Sequence, residues 1–192
     1  KGGIEEIKRI SDESNVLVKT VCADYFMQAP LHSLENVISH QSQEVMFELI
    51  NNVAELGVTD IVLPCVDNSS LTLEPSFNHF LKKLVPIIDV AEKRNFNISL
   101  ETDLPPKHFL ELLDFFQSDR LKVNYDIGNS AALGFNPVEE LEAYGNRISD
   151  IHIKDRVLNG GPVELGHGNG DFYSFFNKLK EYNYQGPFIM QA

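Results

Sequence analysis

Three residues with metal-binding chemistry stand near the carboxyl ends of three strand-like segments. Glu101 falls in ISLETD (98–103), Asp126 in LKVNYDIGN (121–129) and His152 in ISDIHIKDR (148–156). Two carboxylates and one imidazole form a ligand set that Zn²⁺, Mn²⁺ and similar ions accept. If these segments are strands whose ends meet at one sheet edge, the sequence predicts a divalent-metal site there.

The segment 148–156 carries the clearest signal. Side chains alternate along a strand, so Asp150, His152 and Lys154 share one face. A strand that directs three ionisable side chains to one face cannot bury that face favourably unless those side chains have polar or charged partners there. We therefore predict that this face lines the site.

Each of the three residues has a simpler interpretation when taken alone. Glu101 could be a helix-capping or solvated carboxylate, Asp126 an ordinary turn residue before a glycine, and His152 a core histidine with its hydrogen bonds satisfied. Only the ordered set of three favours a shared site over these separate interpretations.

The elements that must position these residues alternate between strand and helix. Apolar spacing and Pro, Gly and Asp boundary signals predict helices near 4–10, 45–53, 77–88, 105–116, 136–145 and 171–179, with a Pro-bearing loop over 25–40. The predicted strands cover 16–23, 59–66, 98–103, 121–127, 148–154 and 186–191.

Six strands alternating with helices, without hairpin signals, predict one α/β domain over 1–192 with a parallel sheet. An open doubly wound sheet and an incomplete (β/α)₈ barrel both fit this pattern. No strand is followed by GxGxxG, which weakens a dinucleotide-binding interpretation. The barrel is favoured because candidate polar residues fall at the carboxyl ends of successive strands, where barrel active sites lie.

The amino-acid composition limits the classes of molecule that this chain is expected to bind. The net charge of −12 argues against nucleic acid and membrane surfaces, which usually require a basic patch. A small anionic substrate remains possible, because its binding needs only a few cationic side chains near the site. Cys22 and Cys65 show no CxxC spacing, so we expect buried free thiols in a reducing cytoplasm. We find no signal peptide or long apolar span.

With LETD, YDIGN, IHIKDR and LGHGNGDF (165–172) in this order, the chain resembles the sugar phosphate isomerase/epimerase group of xylose-isomerase-like TIM barrels. The spacings are 25 residues from Glu101 to Asp126 and 26 more to His152. The resemblance implies that these strands are the fifth, sixth and seventh of the barrel. By that alignment two strands at the start and a helix at the end are missing, leaving six strands and an open edge.

The resemblance also implies a mechanism. One divalent ion, Mn²⁺, Co²⁺, Zn²⁺ or Mg²⁺, is held by Glu101, Asp126, His152 and a second Glu, and it stabilises an enediolate of a sugar or sugar phosphate. The two glutamates transfer the proton. Gln191 stands at the position of the second Glu. Its amide oxygen can ligate a metal, but a carboxamide cannot act as the base near neutral pH.

Four further residues are candidate substrate contacts. Asn129 fits a turn first and a substrate contact second. Lys154 and Arg156 could pair with Asp150 and Asp155 or bind a substrate phosphate, and His167 stands in a loop whose glycine amides could approach a phosphate.

Two functions remain. The first is a metal-dependent sugar isomerase or epimerase, and the second is a non-catalytic sugar binder or inactive fragment on the same scaffold. A metal-dependent endonuclease of this barrel type is disfavoured because it needs more His and acidic ligands and a less acidic surface. The sequence leaves homo-oligomer formation open.

Overall fold

A curled sheet of six parallel strands forms the centre of the molecule. The computed structural model describes residues 2–71 and 75–191. The strand order is β1-β2-β3-β4-β5-β8, so chain neighbours are sheet neighbours and the order never reverses. The strands are β1 Thr20–Cys22, β2 Asp60–Cys65, β3 Asn97–Thr102, β4 Leu121–Asp126, β5 Ile148–Ile153 and β8 Phe188–Met190.

This order confirms an incomplete barrel and rules out a doubly wound sheet, in which the strand order reverses at a switch point. A separate two-stranded antiparallel sheet, β6 Asp155–Arg156 with β7 Pro162–Val163, follows β5. The helices are α1 Gly2–Ser14, α2 Tyr25–Gln28, α3 Asn36–Val53, α4 Ser76–Arg94, α5 Pro106–Phe116, α6 Ile127–Leu133, α7 Pro137–Tyr144 and α8 Phe172–Leu179.

The core lies between the sheet and its helices. Alternate residues of each central strand, such as Ile98 and Leu100 on β3, are fully buried with helix residues such as Leu84 and Leu112. Each fully buried aliphatic side chain of this kind stabilises the fold by about 1.5–3 kcal/mol. The opposite strand faces therefore remain available for polar groups inside the curl.

A register shift separates the two halves of the β4–β5 pairing. Val123 lies opposite Ile148, but Asn124 lies opposite Asp150, so Ser149 is an extra residue on β5. The Ser149 hydroxyl instead lies 2.7 Å from that of Ser99. The sequence contains the signal, because isoleucines three residues apart at 148 and 151 break a strict alternation.

Two predictions over the first part of the chain are wrong. The first strand is shorter than 16–23, since it lies at the sheet edge and Leu17 is 71% exposed. The loop over 25–40 contains α2 and the start of α3. There the buried helix face carries serines: Ser39 donates to the Leu31 carbonyl and Ser42 to the Ala29 carbonyl, each at 2.8 Å, which hides the apolar periodicity.

Two more features were missed. Gly128-Asn129, expected to be a turn, begins α6, and the helix ends at Gly134 with a φ of 72°. The β6–β7 hairpin turns at Leu158-Asn159, where the Gly160 N–H donates to the Val157 carbonyl at 2.9 Å and Asn159 has a φ of 54°. Asparagine tolerates a positive φ and is a common turn residue, a local signal that the pattern of longer elements concealed. Cys65 is buried as expected, whereas Cys22 is exposed on the edge strand.

The described ranges contain no helix that is both long enough and apolar enough to cross a membrane.

Candidate metal centre and active site

Neighbouring strands β3, β4 and β5 bring Glu101, Asp126 and His152 together, as the sequence predicted. Asp126 lies directly opposite His152 in the β4–β5 pairing. All three side chains are buried, and their potential ligand atoms lie within 4.8 Å of one another. His152 Nδ1 is 3.6 Å from Glu101 Oε2 and 3.8 Å from Asp126 Oδ2. One nitrogen and two oxygens converging in a buried space fit a divalent ion.

Two side-chain amides orient these candidate ligands. Asn124 Nδ2 donates to Glu101 Oε2 at 2.8 Å and lies 3.2 Å from His152 Nδ1. Asn129 Nδ2 donates to Glu101 Oε1. The Asn129 backbone N–H donates to Oδ1 of Asp126 at 2.8 Å, and Asp126 is thereby the N-cap of α6. Both carboxylates are thus held before any ligand arrives. Sequence reasoning missed Asn124, although its position two residues before Asp126 places it on the same strand face.

Burial and charge set the protonation of the three groups. Burial, reinforced by Asp126, raises the pKa of Glu101 to about 7. Burial would also raise the pKa of Asp126, but His152, Lys154 and the Asn129 amide outweigh it and lower that pKa. Burial would lower the pKa of His152, yet the nearby carboxylates raise it. Two carboxylates with separated pKa values are typical of sites that hold one charge and move one proton.

Lys154 links the trio to the last strand. Its ammonium lies 2.9 Å from Asp126 Oδ2 and donates to Gln191 Oε1 at 2.9 Å. Lys154 therefore pairs with Asp126 and not with Asp150, which was one of the partners that the sequence left open. The Gln191 backbone N–H donates to the Ile153 carbonyl, which continues the β5–β8 pairing to that residue. The roles of Gln191 as ligand and catalytic residue stay predictions.

Arg156 connects to the trio through Asn129. Its Nη1 donates to Asn129 Oδ1 at 2.7 Å and its Nε donates to the Gly160 carbonyl at 3.0 Å. Nη2 lies 3.7 Å from Asp67 Oδ1, whereas the expected partner was Asp155. Arg156 thus holds Asn129 from the side opposite Glu101, and substrate binding by Arg156 and Asn129 stays a prediction.

Asp155 organises the glycine-rich loop. Its buried carboxylate accepts the backbone N–H groups of Gly166, Gly168 and Gly170 at 2.8–3.0 Å. A Cβ at Gly168 would collide with that carboxylate. The sequence left open that these amides approach a phosphate, but in the structure they donate to a carboxylate of this chain.

His167 lies at the surface of the same loop. Its side chain is 71% exposed, and Nδ1 is 3.3 Å from Glu164 Oε2. His167 is therefore not part of the buried cluster, and contact with a substrate stays a prediction.

The buried carboxylate of Glu140 stabilises the helix that carries Asn129. Glu140 on α7 accepts hydrogen bonds from Tyr125 at 2.7 Å, from Tyr144 at 2.9 Å and from Ser130. Burial raises the pKa of Glu140. Because Ser130 adjoins Asn129, this network fixes α6 against β4. Sequence reasoning missed Glu140, which resembles any charged helix residue.

Comparisons with known proteins agree with this geometry. A family model described as xylose isomerase-like TIM barrel matches residues 1–192. The chain is 24% identical over 188 residues to L-ribulose-5-phosphate 3-epimerase UlaE of Shigella boydii, covering 93% of the chain and 66% of that protein. It is 26% identical over 173 residues to 2-epi-5-epi-valiolone 7-phosphate 2-epimerase of an Actinoplanes species, covering 88% and 62%.

Among solved structures, a xylose isomerase domain protein from Planctomyces limnophilus superposes with a TM-score of 0.84 at 21% identity. The match covers 98% of this chain and 74% of that one. The chain therefore spans roughly two thirds to three quarters of the proteins it resembles.

Proposed function

This chain belongs to the xylose isomerase-like TIM barrel family, and from that premise we propose that it carries the metal and proton-transfer site of a ketose or ketose-phosphate isomerase or epimerase. The observation that carries the proposal is the buried convergence of Glu101, Asp126 and His152. The names of the curated relatives, both epimerases of phosphorylated compounds, support this reaction class.

Glu101 is the proton-transfer group in this proposal. A general base must be charged when it accepts the proton. Without a bound cation, burial raises the pKa of Glu101 to about 7, and a divalent ion held beside it would favour the charged form. Asn124 and Asn129 donate to its two oxygens and so fix the carboxylate plane. Glu101 can therefore accept a proton from one face of a bound sugar and return it on that face.

Glu101, Asp126 and His152, with the Gln191 amide oxygen as fourth ligand, would hold the divalent ion, which would act as a Lewis acid on the substrate oxygens. The amide donors on Glu101 and Asp126 keep these carboxylates oriented toward the shared space. Lys154 offsets the negative charge of Asp126 and donates a hydrogen bond to the neutral Gln191 amide oxygen.

Gln191 favours same-face chemistry. Epimerisation needs a second acid/base on the opposite face of the sugar, and a carboxamide cannot fill that role near neutral pH. An isomerisation that moves one proton along one face needs only Glu101. The same observation supports the second candidate, a sugar binder without turnover.

Metal binding provides the first test. We expect the chain to take up one equivalent of Mn²⁺ or Zn²⁺, measured by elemental analysis after gel filtration. His152→Ala and Asp126→Ala should abolish stoichiometric uptake, because each removes one of the three ligands that form the buried cluster. His40→Ala, an exposed histidine on α3, is the matched control and should bind like the parent. Full uptake by both site variants would place the ion elsewhere and remove the basis of the proposal.

A further inference from the structure

A cavity of about 180 Å³ with a mixed polar and apolar lining adjoins the candidate site and shares Asn129 with it. We call it the Asp67 cavity. Since one water occupies about 30 Å³ of liquid, this volume holds a chain end of a few carbons and hydroxyls. Its lining combines Val66, Asp67, Asp103, Asn129, Ala132, Leu133, Arg156, Asn159 and Gly160.

The charges around the Asp67 cavity oppose an anion. Two carboxylates, Asp67 and Asp103, line this cavity together with one guanidinium, that of Arg156. The Asp103 carboxylate already accepts hydrogen bonds from Ser70 and from the backbone of Leu71. This guanidinium already meets acceptors on three sides, namely Asn129 Oδ1, the Gly160 carbonyl and Asp67. Phosphate sites in proteins instead surround the dianion with several uncommitted donors and net positive charge.

The other donors beside the site are also engaged within residues 2–71 and 75–191. Lys154 contacts Asp126 and Gln191. Three amides of the glycine-rich loop donate to Asp155. Carboxylates, amides and a partly used guanidinium are well suited to hydroxyl groups, which both donate and accept.

We propose that the Asp67 cavity receives the uncharged, hydroxylated end of an unphosphorylated ketose, and that Asp67 and Asp103 exclude a phosphate from it. This inference rests on the proposed function and goes further by naming the substrate class. It assigns Asp67 and Asp103 as specificity-determining residues, while Arg156 and Asn129 join the cavity to the metal trio.

The test compares D-fructose with D-fructose 6-phosphate, and D-ribulose with D-ribulose 5-phosphate. Calorimetry on the Mn²⁺-loaded chain measures the affinity for each member of a pair. We expect the free ketose of at least one pair to bind at least tenfold more tightly than its phosphate. Equal or tighter binding of the phosphate in both pairs, or no binding of any of the four sugars, overturns the proposal.

Neutralising the two carboxylates tests their role directly. In Asp67→Asn/Asp103→Asn the preference for the free ketose should fall at least tenfold. Asparagine suits position 67, where φ is 49°. The control Glu48→Gln/Asp89→Asn removes two exposed helix charges and should keep the parental preference. An unchanged preference in the cavity variant, or the same fall in the control, overturns the assignment.

Turnover assays on the same samples separate this inference from the proposed function. If the free ketose binds selectively but no isomer or epimer forms, the proposed function fails and the specificity inference stands. If the phosphate is converted faster than the free ketose, the function stands and the inference fails.

Discussion

In the proposed function, Gln191 limits the chemistry available to Glu101. One carboxylate would serve one face of the sugar, and the Gln191 amide cannot accept and return a proton near neutral pH. On this proposal the site is half of a two-base active centre, whose side chains are held by amide donors and Lys154.

Restoring a carboxylate at position 191 should restore the second face. In a barrel completed to eight strands, Gln191→Glu should raise ketose C3 epimerisation by about a hundred- to ten-thousandfold, the usual contribution of general acid–base catalysis. Metal-supplemented assays would quantify C3 epimers and aldoses separately. Gln185→Glu, at an exposed turn, is the control and should leave the rate unchanged. If the Gln191 form already epimerises as fast, Gln191 is not the counterpart of the second glutamate.

The sequence predicted the residues with distinctive chemistry better than the residues that orient them. Glu101, Asp126 and His152 stand out because their order along successive strands is rare. Asn124 is a common residue whose importance appears only when β3 and β4 are adjacent. The side-chain partners of Arg156 lie 27 and 89 residues away in sequence at Asn129 and Asp67, and no local pattern encodes them.

At the scale of elements, the network around Glu140 ties α6 and α7 to β4. The buried Glu140 carboxylate accepts hydrogen bonds from three hydroxyl groups, so its oxygens have hydrogen-bond partners without a neighbouring cation. Burial disfavours the charged carboxylate more than these three hydrogen bonds favour it, so the pKa of Glu140 is raised and the folded state prefers the protonated form more than the unfolded state does.

This preference predicts a pH dependence of stability. Because the folded chain holds the Glu140 proton to higher pH than the unfolded chain, this residue's contribution to stability falls as pH rises from the ordinary glutamate range through the raised pKa. Glu140→Gln should flatten that slope in urea unfolding across this range, while Glu140→Ala should cost about 2–3 kcal/mol by leaving hydroxyls unsatisfied. Glu139→Gln, on the exposed side of α7, is the control. A slope identical in parent and Glu140→Gln would contradict the prediction.

Strands and long helices followed from apolar periodicity, whereas short elements did not. The seven-residue α6 depends on a cap from Asp126 and a terminal glycine, and the β6–β7 hairpin depends on Asn159 with positive φ. These are local conformational signals, which a search for longer periodic segments passes over. The start of α3 was not predicted for another reason. Its buried face carries serines whose hydroxyls donate to loop carbonyls, and only the tertiary structure brings those carbonyls close.

At the scale of the molecule, the sheet is curled but has two edge strands, β1 and β8, in the described part of the chain. Phe188 and Met190 on β8 are 50% and 68% exposed. Unpaired backbone groups next to exposed apolar side chains favour association between copies. The high net negative charge opposes it.

We expect edge association to prevail when the 192-residue chain is purified alone. Sedimentation at high micromolar concentration should show species above the monomer mass, and Met190→Lys should reduce them. Val37→Lys, which places the same charge on an exposed site of α3, should have little effect. A chain that stays monomeric at all concentrations, or an equal response to both lysines, would show that the β8 edge does not mediate contact.

The extra residue at Ser149 bears on how this chain would tolerate a deletion in β5. Beyond it the β4–β5 pairing is regular through Asp126 and His152. Deleting Ser149 would remove the bulge and its contact with Ser99, yet leave His152 beside Asp126. The spacing of 26 residues between Asp126 and His152 could therefore shorten by one residue at position 149 without separating the two ligands. A deletion between Asp150 and His152 would instead turn the imidazole toward the helices, because alternation fixes the phase of that segment.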